Sequence, residues 1–579
     1  MRSTLIALAL VASACAVQAG VDPDASPTTT AVIPPSTIAV DEQTRLETVA
    51  LAASFYDAIL ARDGATVAAL STDPPVMIQE EIDAWAGAIG LVGGSFIVTE
   101  GRFTETTAEI TVRLTLDLVE VGTWSYESTV TLVGGPPWTA IWSPTALHPS
   151  LEQGDRLRLD RAWPPRAPIL ASDGTELAGA EEVKIIGVVP SRIEDLDELT
   201  ADLAGLAGID PAVVVEELAR PAVQPDWFVP VGSVKLVVYA AVGESLETLP
   251  GVVIRDGSER LLFRDDFAGH LIGELAPITA EQLDRLGFPY GPTDLVGQTG
   301  IEAAFESQLA GRPRTAIVRV NKFGRIVEDL RVLEVIAPES VRTTIDIKVQ
   351  TAVEQALRDL AFPAAVVVIE ASTGQIRAVA SRPLDDGFDR ALLGAYPPGS
   401  TFKVITATAL LENGYTAATE VDCPAAVNLG GRTIENAAGT GLGLISFTDA
   451  FAASCNTTFA ATAVDVLDGA TLRTTAEGYG FGKDPDLGLP AIGGSFPLPG
   501  DTAELAAAAI GQGRVLVSPV HMVTVAGAVA AGAWRPANVI ATAERSPGSE
   551  LERSAVSTLA DLMLAVVTSG TGTNAAVPG

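Results

Sequence analysis

Between residues 41 and 62 apolar side chains recur at helical spacing, and the pattern stops near Asp63-Gly64. Three stretches of alternation follow, at 95–98, 108–116 and 126–132, and they predict strands with one buried face. Trp138 and Trp142 fall in a last predicted strand before Pro144. A helix followed by a sheet predicts an open α+β cone. From 149 to 338 the pattern is mixed and rich in loop-forming residues, with no pairing of a nucleophile and a base. Residues 348–360 then predict a helix, leading into a hairpin of strands 364–370 and 375–381 around Ser372-Thr373-Gly374. After Lys403 the run Val404, Ile405, Ala407, Ala409, Leu410 and Leu411 predicts a helix apolar nearly all round, hence buried, stopped by Asn413-Gly414. The apolar stretch 522–534 is too short for a membrane span of about 20 residues and is read as a core helix.

Composition narrows the function classes. The chain of 579 residues is long enough for about three or four domains. A formal net charge of −35 argues against a nucleic-acid partner, which would need basic patches. His148, His270 and His521 are far apart in sequence, which disfavours a histidine triad or a histidine metal site. Cys15, Cys423 and Cys455 lack C-x-x-C spacing, so no structural zinc is expected, and no motif implies a cofactor. Arg2 and a short apolar run over residues 5–11 form an export signal. Ala12-Ser13-Ala14-Cys15 resembles a lipobox, in which Cys15 is lipidated. Cleavage after Val17-Gln18-Ala19 is the competing reading, and an uncleaved anchor a third. A Pro/Thr/Ser-rich tether follows, up to residue 40.

Candidate chemistry lies at Pro397-Pro398-Gly399-Ser400-Thr401-Phe402-Lys403. A serine and a lysine three apart on a helix share a face, with Cβ atoms about 5–6 Å apart. On an exposed helix such a pair is simply solvated. Here the following helix is buried, and a desolvated lysine sheds its proton and can act as base for the serine. Only six of the 37 basic residues are lysines. Arginine could not replace Lys403 as a base, because its pKa lies above about 12. Downstream, Ser454-Cys455-Asn456 places a hydroxyl and an amide two apart. They either edge a cleft from a tight loop or serve as capping residues at a helix start.

Taken in order, Ser400-x-x-Lys403 and Ser454-x-Asn456 resemble the class B penicillin-binding proteins. The segments Val366-Val-Val-Ile-Glu370, Ser372-Thr-Gly374 and Ala378-Val-Ala380 are similar to that family's first hairpin. Gly511-Gln512-Gly513 and Leu516-Val-Ser-Pro519 are similar to a segment between its second and third motifs. Arg166-Ala-Pro-Ile169, Gly174 and Leu177-Ala178 resemble the opening of its pedestal, with Ala167 for the usual Gly and Ala171-Ser172 for the usual Asp-Arg. Gly297-Gln-Thr-Gly300-Ile-Glu302 matches a further pedestal motif. Trp142-Ser-Pro144 and His148-Pro149 resemble the exit of a domain similar to nuclear transport factor 2, found in the methicillin-resistance type and its actinobacterial relatives.

The resemblance implies a multidomain α+β protein. Its expected parts are a signal peptide (1–19), a linker (20–40), an NTF2-like cone (41–148), an elongated pedestal or dimerisation domain (149–340) and a transpeptidase α/β sandwich (341–579). Ser400 would be acylated by the D-Ala-D-Ala end of a peptidoglycan stem peptide, or by a β-lactam. Lys403 would take the serine proton, Ser454 would relay a proton to the leaving amine, and Asn456 would hold Lys403 and the substrate amide. The implied partners are stem peptides and a glycosyltransferase, divisome or elongasome protein, at the outer face of a cell membrane. The family's third motif, Lys-Thr-Gly, does not occur here. Residues 570–579 resemble the lead-in to it, so the sequence is expected to be a fragment lacking the last strands. Poor folding of the last domain and weak or absent labelling by penicillin follow from that expectation, and reading the gene past codon 579 tests it. Ser569-Gly570-Thr571-Gly572 is read as the loop before that strand rather than a substitute for it. Two other functions remain open: a serine β-lactamase or carboxypeptidase, and a non-catalytic cell-wall scaffold. Cys423 and Cys455 would lie where disulfides persist, yet spacing does not set their separation. Cys455 is equally read as a small side chain packed inward.

Overall fold

The first predicted helix forms over Glu42–Leu60, where the Asp41 carboxylate accepts from the Thr44 N–H at 2.9 Å as N-cap. The computed structural model describes residues 40–577 apart from 265, 385–386 and 543–546. The signal segment, Cys15 and the tether up to residue 39 lie outside the described residues. Helices Glu42–Leu60 and Ile78–Ile89 cover a five-stranded sheet ordered Ser71–Thr72, Trp138–Ile141, Gly122–Gly134, Thr107–Leu118, Leu91–Phe103. All its pairs are antiparallel except the first. Alternation is strict in Thr107–Leu118: Ala108, Ile110, Val112, Leu114, Leu116 and Leu118 are buried, and Thr111 and Arg113 face outward to Thr129 and Glu127. The strand ends at Ile141. Trp142 lies just beyond it, its indole N–H donating to Glu81 at 2.8 Å.

This compact unit also takes in a three-stranded antiparallel sheet ordered Ile326–Val332, Arg314–Val320, Arg156–Ala162. The unit therefore joins residues up to Ala162 with Arg314–Glu334, and the sequence boundary at 148/149 does not follow that division. The reason is pairing between segments far apart in the chain, which local pattern does not carry.

The second compact unit comprises Trp163–Pro313 and the chain from Val335. Its first part is more regular than the mixed sequence pattern suggested. Glu176–Val188 pairs with Val252–Leu262 in an eleven-rung antiparallel ladder, and Val229–Lys235 pairs with the same strand. The alternation is obscured because Glu181, Glu182, Lys184, Asp256, Glu259 and Arg260 sit on this ladder. Helices Leu196–Ala207, Pro211–Leu218 and Leu236–Glu247 close a small core around Ile186, Leu199, Leu203, Val214 and Leu246.

The two sequence motifs of this part meet in one charge cluster. Arg166 donates from Nε to Glu302 at 2.7 Å and from a terminal nitrogen to Glu306 at 2.8 Å. Arg260 also pairs with Glu302 and donates to the Ala167 carbonyl at 2.9 Å. Glu306 further accepts from the Gly297 N–H at 2.7 Å and the Tyr290 hydroxyl at 2.9 Å. The glycines of the motif are steric requirements: a Cβ on Gly297 would sit 2.2 Å from the Glu302 backbone, and Gly300 has φ +58°.

In the last part, Ala364–Glu370 and Gln375–Arg382 form the predicted hairpin. Val353 and Leu357 of helix Ile347–Leu357 pack with Ala378 and Ala380, while Val379 joins Val520 of helix Pro519–Ala531 in another cluster. The hairpin is thus sandwiched between helices. Strand Ala364–Glu370 has no second partner among the described residues, and all seven of its residues are half-buried. The stretch read as a core helix begins earlier than its apolar pattern, at Pro519, because Ser518 caps it. No described helix is long and apolar enough to cross a membrane. The remaining helices form a lobe whose core includes Phe402, Ile405, Leu410, Phe447, Phe459, Tyr479 and Phe481.

Replacing Arg166 by Ala leaves the buried Glu306 without its cation, while Glu302 keeps Arg260. Breaking a buried pair in this way costs about 3–5 kcal/mol. Urea unfolding of Arg166→Ala is expected to show a loss of that order, and a loss below about 1 kcal/mol, the range of an exposed pair, contradicts this account.

Candidate active site

Gly399 takes φ +56°, and its N–H donates to the Gly511 carbonyl at 2.9 Å. A Cβ at Gly511 would approach the Gly399 oxygen to 2.1 Å, so residue 511 can underlie this turn only as glycine. The 3-10 turn Gly399–Phe402 runs straight into helix Lys403–Glu412. Phe402 locks the junction, stacked on Phe496 at 5.5 Å and edge-on to Phe481 at 5.6 Å. Ser400 is left exposed, whereas Lys403 through Leu410 are all buried. The sequence expectation of a helix buried all round holds, and Lys403 is 2% exposed within it.

The lysine is met by the second motif. Its Nζ donates to the Ser454 carbonyl at 2.8 Å, to Ser454 Oγ at 3.0 Å and to Asn456 Oδ1 at 2.7 Å. It also lies 5.5 Å from the Phe459 ring centroid. Three oxygen acceptors match the three N–H groups of an ammonium. Burial opposes them and lowers the lysine pKa from 10.5 to about 7. Both protonation states are therefore populated near neutral pH. None of the three histidines takes part in this cluster.

Ser454 can face the lysine because it sits in the left-handed region, φ +55°, between helices Phe447–Ala452 and Asn456–Val466. Its N–H bonds the Phe451 carbonyl at 2.9 Å and that of Cys455 bonds Ala450 at 2.9 Å. The capping alternative is corrected here. The N-cap is Cys455, and the side chains of Ser454 and Asn456 turn to Lys403 instead. Asn456 Nδ2 donates to the Glu435 carbonyl at 3.0 Å, which leaves Oδ1 for the lysine.

Cys423 and Cys455 are joined in a disulfide with Cα atoms 6.2 Å apart. Cys455 is buried, as an inward-packed cysteine would be, but it is not a free thiol. The fold brings together two strand and helix ends that sequence spacing could not place. Residues 569–572 form no strand: Gly570 and Thr571 fold back from helix Arg553–Thr568, and the Thr571 N–H donates to Ala452 at 3.1 Å, beside the Ser454 turn. Sequence reasoning did not find Glu435, Phe481 and Phe496. Glu435 acts through its backbone carbonyl, and the two phenylalanines act through packing.

The chemistry available is acyl transfer: an exposed hydroxyl, a buried amine able to lose its proton, and a second hydroxyl on that amine. Comparison with known proteins agrees. Residues 364–579 match the penicillin-binding protein transpeptidase domain, and residues 161–343 match the penicillin-binding protein dimerisation domain. Penicillin-binding protein 3 of Bacillus subtilis is 26% identical over 420 residues, covering 67% of this chain and 61% of its own length. Peptidoglycan D,D-transpeptidase FtsI of Escherichia coli is 24% identical over 491 residues, covering 77% of each. A solved complex between PBP2 and MreC of Helicobacter pylori contains a similar fold, with TM-score 0.53 and 19% identity over 71% of this chain and 83% of that one. With a dimerisation domain ahead of a transpeptidase domain that contains the S-x-x-K and S-x-N pairs, the chain belongs to the class B penicillin-binding proteins.

Proposed function

We propose that this protein is a serine D,D-transpeptidase that cross-links peptidoglycan stem peptides and is acylated by β-lactams. The observation that carries this is the buried Lys403, held by Ser454 and Asn456 one helical turn from the exposed Ser400. Ser400 Oγ attacks the carbonyl of the penultimate D-Ala. Its proton goes to neutral Lys403, and the carbonyl electrons move onto oxygen. Ser454 passes a proton from Lys403 to the departing D-Ala amine as the peptide bond breaks. The amine of a second stem then attacks the ester, and its proton passes by way of Lys403 to Ser400 Oγ as the ester C–O bond breaks. The Ser400 N–H, at the start of the 3-10 turn, is one candidate donor to the oxyanion. Asn456 holds the lysine and offers an amide edge to the substrate.

Around this centre we assign residues 341–579 to the transpeptidase domain, 149–340 to the pedestal and 41–148 to an NTF2-like cone. The helix-on-sheet layering of the cone supports that last assignment. Cys15 is the proposed lipid anchor, preceded by the signal within 1–19 and followed by the tether 20–40, so that the protein works on the outer side of the cell membrane. Its partner is proposed to be a protein of the division or elongation machinery. The reading of a protein partner is supported by the PBP2 of H. pylori, which has a similar fold and forms a complex with MreC.

Prolonged incubation with a penicillin, followed by peptide mass mapping, is expected to find the adduct on Ser400. The Ser400→Ala protein is expected to show none; an adduct that survives this change sinks the proposal. Lys403→Arg removes the base while keeping the charge. Acylation should slow by about 10²–10⁴-fold, the usual worth of a general base. The lysine acts as base only when neutral, and burial lowers its pKa, so the acylation rate should rise with pH through about 7. A rate that falls over that range contradicts the role given to Lys403.

A further inference from the structure

We propose that the Cys423–Cys455 disulfide is a positioning element of the active site, holding a two-hairpin lobe against the 454–456 turn so that the Asn456 amide stays aimed at Lys403. Cys423 ends strand Glu420–Cys423, which pairs with Gly443–Ser446. A second hairpin, Ala426–Leu429 with Arg432–Glu435, follows it. Each is a pair of four-residue strands, a size that is marginal alone in water. Leu442 and Leu444 at the lobe's outer edge are exposed, so little apolar packing secures that side.

The lobe nevertheless sets the catalytic geometry. Its Glu435 carbonyl takes the Asn456 Nδ2 hydrogen bond at 3.0 Å. That contact decides which edge of the amide Lys403 meets. Thr457 Oγ1 donates to Pro424 at 2.7 Å, Thr458 Oγ1 donates to Asp422 at 2.9 Å, and the Thr457 N–H donates to Asn436 Oδ1 at 3.2 Å. These contacts exchange readily with water once the lobe lifts. The disulfide joins the same two segments covalently, at the residue between Ser454 and Asn456. Opening it lets the lobe move away from the helix start, frees the Asn456 side chain and admits water around Lys403 Nζ. Among the described residues no carboxylate pairs with that amine, and burial alone sets its titration.

The inference rests on the transpeptidase reading for its effect on acylation, but the test does not require turnover. Competitive acetylation across pH, read by peptide mass spectrometry, follows the titration of Lys403 directly, and the chain has only six lysines to resolve. The full chain is compared oxidised, reduced with a phosphine, and as Cys423→Ala, each shown to be folded by circular dichroism. In the oxidised protein Lys403 is expected to titrate near 7. In the reduced and Cys423→Ala proteins the midpoint should rise by about one unit or more toward the exposed lysine value, cutting the neutral fraction at pH 7 about fivefold. Acylation at pH 7 should fall in parallel. A merely structural disulfide would lower stability and leave the midpoint of the folded protein unchanged, and that result overturns the proposal. Finding Cys423 and Cys455 as free thiols in unreduced protein overturns it as well. A shifted Lys403 midpoint without any penicillin adduct would instead uphold this inference while removing the transpeptidase reading.

Discussion

One buried amine organises the catalytic part of this molecule. Lys403 is 2% exposed inside a helix that is otherwise apolar or weakly polar, and an ammonium there would be strongly disfavoured without partners. Ser454 and Asn456 provide three oxygens and bring the charged form back within reach. Burial places the pKa near 7. The left-handed Ser454, the cap at Cys455 and the anchoring of Asn456 to Glu435 can each be understood as a means of delivering those oxygens.

The nucleophile side is built by packing rather than polar contact. Phe402, between Phe481 and Phe496, fixes the turn that leaves Ser400 outward and Lys403 inward. Gly511 lets two backbones approach where a Cβ would not fit, and Gly399 supplies the left-handed turn. Far along the chain, the Arg166–Glu302–Glu306–Arg260 cluster does for the pedestal segments what Lys403 does for the site. In both places a few charges removed from water tie distant segments together, because each is costly unless every partner is in place.

Much of this was legible beforehand. The strand at 107–118 alternates cleanly because one face of it is buried, and the helix after Lys403 shows its burial in its composition. Ser400, Lys403, Ser454 and Asn456 are polar groups at fixed spacing, which is the kind of signal sequence retains. The ladder of Glu176–Val188 with Val252–Leu262 was not legible, since its charged residues mask the period. Nor was the pairing of Arg156–Ala162 with Arg314–Val320, whose partners come from distant parts of the chain.

By itself the sequence determined which residue types stand at which spacing, and through them the family and the four side chains on which the proposed chemistry rests. Tertiary structure alone decided that Lys403 is dry, that its three acceptors converge, and that Cys455 is bonded to Cys423 rather than packed as a free thiol. The physical reason is the same in each case. Residue identity and local periodicity act over a few positions, whereas desolvation, convergence of acceptors and the Cα separation of two cysteines depend on segments that meet only after the chain has folded.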